Sequence, residues 1–137
     1  MKVQEEKDKL FLNFVQKAGN RIEDRKKIKT ATLYIPALEE NIKIRNLTSQ
    51  EIIECTNSIE QEDYEYGDKY ATYLGVIEPG LKNVSNELIR QGHINQNLDV
   101  CNMFESHELR SIATEILRLS GVFEENKSVV LVEELKK

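Results

Sequence analysis

The stretch Ile28-Lys29-Thr30-Ala31-Thr32-Leu33-Tyr34-Ile35-Pro36, followed after a short connection by Ile42-Lys43-Ile44-Arg45, decides the fold class. Its first half is rich in β-branched and aromatic residues, which suit a pleated, half-buried surface. Pro36 ends it, having no N–H to give to a ladder. Ile42 to Arg45 alternates apolar and charged side chains with period two. The two halves predict an antiparallel β-hairpin with one buried face. Two strands alone are marginal in water, so other elements must cover that face.

On the C-terminal side the signals as far as Gly121 are helical. Leu47-Thr48-Ser49-Gln50-Glu51 reads as a helix start, with Thr48 and Glu51 placed to form a capping box, and the helix is expected to run to about Ile59. Tyr66, Tyr70, Tyr73, Leu74 and Ile77 recur at helical spacing, and Glu78-Pro79-Gly80 is expected to close that helix. Gly75 inside the pattern costs about 1 kcal/mol relative to Ala, which marks a close backbone approach by a neighbour. Val84 to Arg90 predicts a short helix stopped by Gly92, and Leu98 to Phe104 another short helical piece. Ser106 is read as an N-cap with Glu108 in the first turn. Leu109, Ile112, Ala113, Ile116 and Leu117 form the most regular apolar stripe of the chain, ended by Ser120-Gly121. The tail from Val129 to Lys137 fits either strand or helix.

On the N-terminal side, Leu10, Phe11, Phe14, Val15 and Ala18 predict an amphipathic helix over 4–18, with Gly19 as its stop. Glu5 to Lys9 is charged all round, so this helix has a weak claim on the core, and the Phe11/Phe14 pair reads either as core or as a docking site. The expected class is α+β: a predominantly helical single domain with a small N-terminal antiparallel β-hairpin. Residues 1–27 are taken as an amphipathic helix and basic connector, and 28–137 as the domain proper.

With 137 residues the chain has the size of one domain. Ile, Leu, Val and Phe number 40, enough to build a core. Gly and Pro together number eight, which disfavours a loop-rich β-sandwich. Net charge is −5, unevenly spread: residues 1–29 carry nine Lys/Arg against five Asp/Glu, whereas 39–68 carry two against nine. Nucleic-acid binders show a basic stripe and high pI, so nucleic acid is not expected as a partner. The basic cluster Arg21, Arg25, Lys26, Lys27 and Lys29 reads as a solvated connector. No apolar run approaches a membrane span and the first residues lack a signal-peptide core, so no membrane partner and a cytoplasmic location are expected.

Catalysis needs a nucleophile with its base, paired acids, a metal set or a phosphate cradle. None is legible: the chain has no GxSxG, GxxxxGK[ST] or GxGxxG pattern. Cys55 and Cys101 sit in apolar patterns and read as core thiols. His93 and His107 have no zinc-ligand spacing around them. Glu60, Glu62, Asp63 and Glu65 lack the order of a calcium loop and read as a solvated helix start. The expectation is a non-enzyme without catalytic residues, cofactor or metal. Tyr66, Tyr70 and Tyr73, with Tyr64, make the densest aromatic patch, whose polar-tipped rings suit a half-buried core or an interface.

The collinear order of these pieces resembles the XkdN-like tail assembly chaperones of contractile-tailed phages and PBSX-type prophages. The resemblance rests on Ala31-Thr32-Leu33-Tyr34-Ile35-Pro36, Ile42 to Arg45, Leu47 to Glu51, Lys69-Tyr70, Glu78-Pro79 with Leu81-Lys82, Leu119-Ser120-Gly121, and the ending Val132-Glu133-Glu134-Leu135-Lys136-Lys137. It spans roughly 28–137, and residues 4–18 fall outside it. His107-Glu108 stands where the family often has Gly-Glu. The resemblance implies a non-catalytic protein of the host cytoplasm, absent from the mature virion. It would bind the tape measure protein, keep it soluble and help recruit tail tube protein. Tyr66, Tyr70, Tyr73, Phe11 and Phe14 are the candidate partner-binding residues, and the charge asymmetry adds intramolecular contact or head-to-tail self-association as a further expectation. The alternatives are a virion structural component of the tail or head–tail junction and a small host-directed regulatory binding protein.

Overall fold

A computed structural model describes residues 2–57 and 65–123. The order is α1 (Lys2–Lys26), β1 (Thr30–Ile35), β2 (Glu40–Arg45), α2 (Ser49–Asn57), α3 (Tyr66–Gly75), β3 (Val76–Glu78), α4 (Leu81–Arg90), a 3₁₀ helix (Asn97–Met103) and α5 (Ser106–Leu119). The protein is α+β and mostly helical, with one small antiparallel sheet. The first element is a helix; the hairpin follows it rather than standing at the N-terminus. The tail beyond Phe123, the acidic run 60–63, Tyr64 and the expected end of the second helix at Ile59 lie outside the described residues.

The hairpin forms as its alternation requires. Thr30 pairs with Arg45, Leu33 with Ile42 and Ile35 with Glu40. Ile42, Ile44 and Ile35 turn inward, and Ile44 is wholly buried. The sheet has a third strand that the helical spacing of 66–77 conceals. Helix α3 stops at Gly75, and Val76 leaves it with extended backbone to pair with Ile44 on the side of β2 away from β1, through an irregularity between Lys43 and Ile44. Ile77 therefore lies in a strand, not on the last turn of a helix. The Glu78-Pro79 bond is cis and leads into α4.

Helix α5 lays Leu109, Ile112, Ala113 and Ile116 over this sheet and against α3, all four buried. Gly75 makes the α3 contact close: a Cβ there would stand 2.9 Å from Ile116 Cγ1 and nearer still to Cδ1. Its N-cap is Glu105, not Ser106; Glu105 has the extended backbone of a cap, and its N–H donates to Glu108 at 2.8 Å. Ser106 takes the first helical position and its hydroxyl bonds Glu65. Gly92 and Gly121 close α4 and α5 at positive φ (+83° and +82°), each with the paired backbone bonds of a Schellman end.

Arg45 and Glu51 lock the sheet to α2. The guanidinium meets the carboxylate through two bonds of 2.9 and 2.8 Å. The expected capping box is present: Thr48 N–H donates to Glu51 Oε1 at 2.9 Å and Glu51 N–H donates to Thr48 Oγ1 at 3.2 Å. These donors hold the Glu51 carboxyl down to about 2. Ser120 Oγ, accepting from Leu47 N–H at 2.8 Å, fastens the end of α5 to the same corner.

Candidate protein-binding surface

Helix α1 runs past Gly19 to Lys26, so most of the expected basic connector is helix. A glycine stops a helix when it takes positive φ, and Gly19 does not. Good helix formers on both sides carry the helix through, with Lys26–Glu23 at i,i+3 and Arg25 and Lys26 suited to the negative end of the dipole. No residue of α1 is buried and none belongs to the hydrophobic core.

Phe11 and Phe14 are therefore not core. They are 68% and 74% exposed, and with Leu10, Val15 and Ile22 they follow a helical repeat that gathers them into one apolar stripe. The end of the helix and the residues after it are basic: from Lys17 to Lys29 the chain carries six Lys/Arg against Glu23 and Asp24. Lys26 and Lys27 spend part of that charge on Glu23 and Asp24.

The tyrosines lie elsewhere, on α3, and nothing brings them to Phe11 and Phe14. Tyr66 and Tyr70 stack with centroids 6.1 Å apart and planes 10° from parallel. Tyr70 donates its hydroxyl to Glu54 Oε2 at 2.9 Å, and that carboxylate pushes the phenol up to about 12. Tyr70 and Tyr73 are half-buried against the core, whereas Tyr66 is half-buried outside it. The core reading therefore holds in part for Tyr70 and Tyr73, which pack against the core and keep part of their surface in water.

A third surface has no counterpart among the candidate residues. Leu33, Tyr34, Ile35, Pro36 and Ala37 from the edge strand β1, and His107, Glu108, Ser111, Ile112 and Glu115 from α5, enclose a groove of about 480 Å³. Its signal was present in the sequence: residues 30–38 are nine consecutive uncharged residues in a chain with 31% charged residues. Among the described residues strand β1 pairs with β2 alone, and a sheet edge of this kind can pair with a further segment.

The thiols are buried. Burial pushes Cys101 up to about 12 and Cys55 to about 11, so neither is a thiolate at neutral pH. Cys101 donates to the Lys69 carbonyl at 3.3 Å. Among the described residues no three His, Cys, Asp or Glu side chains converge as a metal set, and no helix is long and apolar enough to cross a membrane. The chain matches no protein-family model, no curated protein and no solved structure. The described surface carries exposed aromatic and aliphatic side chains, rimmed by charge and mounted on a folded core.

Proposed function

We propose that this chain is a non-catalytic tail assembly chaperone of the XkdN-like kind, which binds a phage tape measure protein in the host cytoplasm, keeps it soluble and helps tail tube polymerisation. The observation that carries the reading is the continuous exposed stripe of α1. Apolar side chains at i, i+3/i+4, i+7 and i+11, namely Phe11, Phe14 and Val15, Ala18 and Ile22, are the anchors of helix-to-helix recognition. A tape measure is a long helical polymer whose own apolar stripe needs cover until the tube encloses it. The ordered collinear resemblance over 28–137 supports the same reading, and exposed Glu39, Glu40 and Glu54 add a solubilising acidic surface.

Co-expression with the tape measure protein of the same tail gene cluster tests it. Soluble tape measure should increase and co-purify with this chain, and Phe11→Ser/Phe14→Ser should abolish both effects. Because both rings are exposed, that variant should melt within about 2 °C of the parent, since surface changes seldom exceed about 0.5 kcal/mol. Unchanged tape measure solubility with no complex would overturn the proposal.

A further inference from the structure

The convex stripe of α1 and the concave β1/α5 groove are both apolar and have opposite charge at their rims. We propose that they bind each other between copies: Phe11 and Phe14 of one molecule enter the β1/α5 groove of the next. This rests on the reading of α1 as a binding helix and adds what occupies that helix when no client is present.

The groove has an apolar floor in Leu33, Ile35 and Ile112, and the charged residues that line it are Glu108 and Glu115, with His107 beside them and no Lys or Arg. Glu115 also pairs with Arg118 on the same helix. Exposed Glu39 and Glu40 follow Ala37 at the hairpin end. Opposite these carboxylates the proposal places the segment from Lys17 to Lys29, net +4. Charge therefore opposes two other arrangements of these parts. Parallel α1 helices would face +4 with +4, and groove-to-groove contact would face carboxylates with carboxylates.

Geometry points the same way. Lys29 is fixed to Asn46 by two backbone-level bonds, its N–H to Asn46 Oδ1 at 2.9 Å and its carbonyl accepting from Asn46 N–H at 3.0 Å. From that anchor an unbroken helix carries Phe14 and Phe11 roughly 18–22 Å beyond Lys26. The chain's own domain buries no residue of α1. The six exposed side chains Val3, Leu10, Phe11, Phe14, Val15 and Ile22 offer roughly 600 Å² of apolar area, against about 800 Å² per partner in a standard interface. The match predicts association in the micromolar range. Each copy supplies one convex and one concave surface, so the contact is heterologous and propagates into a chain or closes into a ring.

Sedimentation velocity of the full chain between about 5 and about 200 μM should show the average mass rising with concentration, and roughly five-fold weaker association at about 0.5 M than at about 0.05 M NaCl. Two variants then separate the surfaces. Phe11→Ser/Phe14→Ser removes the anchors and keeps the groove; Ala37→Arg/Ser111→Arg repels the basic helix and alters only exposed positions. Each alone should be monomeric with parental circular dichroism, and mixing them should restore a 1:1 heterodimer, the intact groove of the first capturing the intact helix of the second. A parent that stays monomeric at about 200 μM would overturn the proposal, as would a parent that associates while the mixed variants do not. Both outcomes are read without tape measure protein, so they leave the client reading to its own experiment.

Discussion

Replacing Gly75 by Ala adds one methyl group at the tightest contact between α3 and α5. The new carbon would stand 2.9 Å from Ile116 Cγ1 and 3.0 Å from Cγ2, with Cδ1 closer than either. Carbon atoms rest about 3.5–4.0 Å apart, so Ile116 must move by the better part of an ångström or the helices must separate. Ile116 is wholly buried, with Ile112 and Ala113 buried beside it, so neither adjustment is free. Overpacking of this kind costs about 1–3 kcal/mol, and the closed surroundings place Gly75→Ala at about 2–3. The opposing gain in helix propensity is at most about 1 kcal/mol and is mostly forfeited at the last helical residue. Urea denaturation should therefore show a lower midpoint at unchanged slope, and a melting temperature roughly 8–15 °C lower. Ile116→Val deletes the atom nearest the new methyl. Alone it should cost about 0.5–1.5 kcal/mol, and combined with Gly75→Ala it should recover at least about 1 kcal/mol of the glycine variant's loss. If Gly75→Ala proves as stable as the parent, or if the two substitutions simply add, the close approach does not govern this packing.

Three further measurements probe other parts of the molecule. Thr72 is fully buried and its Oγ1 has no hydrogen-bond partner among the described residues, so the near-isosteric Thr72→Val should raise stability by about 1 kcal/mol in urea; a loss would show that the hydroxyl is satisfied. The Glu51 carboxyl sits at about 2, below the ordinary 4.5, because Arg45 and Thr48 donate to it. The folded chain thus binds that proton less readily than the unfolded chain. The contribution is complete above the unfolded value and is lost as pH falls from about 5 towards 2. After allowance for the solvent that reaches the pair, Glu51→Gln should remove about 1–2 kcal/mol at pH 7 and flatten the acid limb of stability; an unchanged acid limb would refute the pairing. Finally, a Cβ at Gly19 meets nothing within 4 Å, so Gly19→Ala should raise helicity by circular dichroism and stabilise α1 by up to about 1 kcal/mol, whereas reduced helicity would mean that the helix breaks there.

Legibility in the sequence followed the length and regularity of each signal. Helix α5 shows because five apolar positions share one face, and the hairpin shows because its alternation meets a proline. The Thr48/Glu51 box and the Gly75 approach are each legible from single residues whose chemistry allows few other roles. Strand β3 is hidden because its three residues are too few to display period two, and Ile77 continues the helical spacing of Tyr66, Tyr70 and Tyr73. Gly19 misleads because a glycine can be tolerated in a helix at modest cost, and its φ, which decides the matter, is not in the sequence. An apolar stripe records that a face needs cover without recording what covers it, so Phe11 and Phe14 read equally as core or as contact. The tyrosines are ambiguous for a physical reason: a half-buried ring with a polar tip gives the same sequence signal at a core edge as at an interface. The groove went unseen because β1 and α5 are about seventy residues apart and only the tertiary fold brings them together.

The separation of α1 from the core has a consequence for the apolar stripe. Among the described residues every buried apolar side chain lies between Ile35 and Ile116, and none comes from α1. Removing Phe11 and Phe14 therefore takes nothing from the domain's stability, and their exposure in water is unfavourable by roughly 25 cal/mol for each Å² left wet. On the proposed reading, a partner that covers the stripe offsets this penalty. If the proposed reading holds, stability and binding reside in different residues. Gly75→Ala should lower the melting temperature while the α1 stripe of the remaining folded molecules binds as before. Phe11→Ser/Phe14→Ser should abolish binding at an unchanged melting temperature. A double dissociation of this kind is what an arm mounted on an independent core produces. A stripe that also served as core would make the two properties fall together.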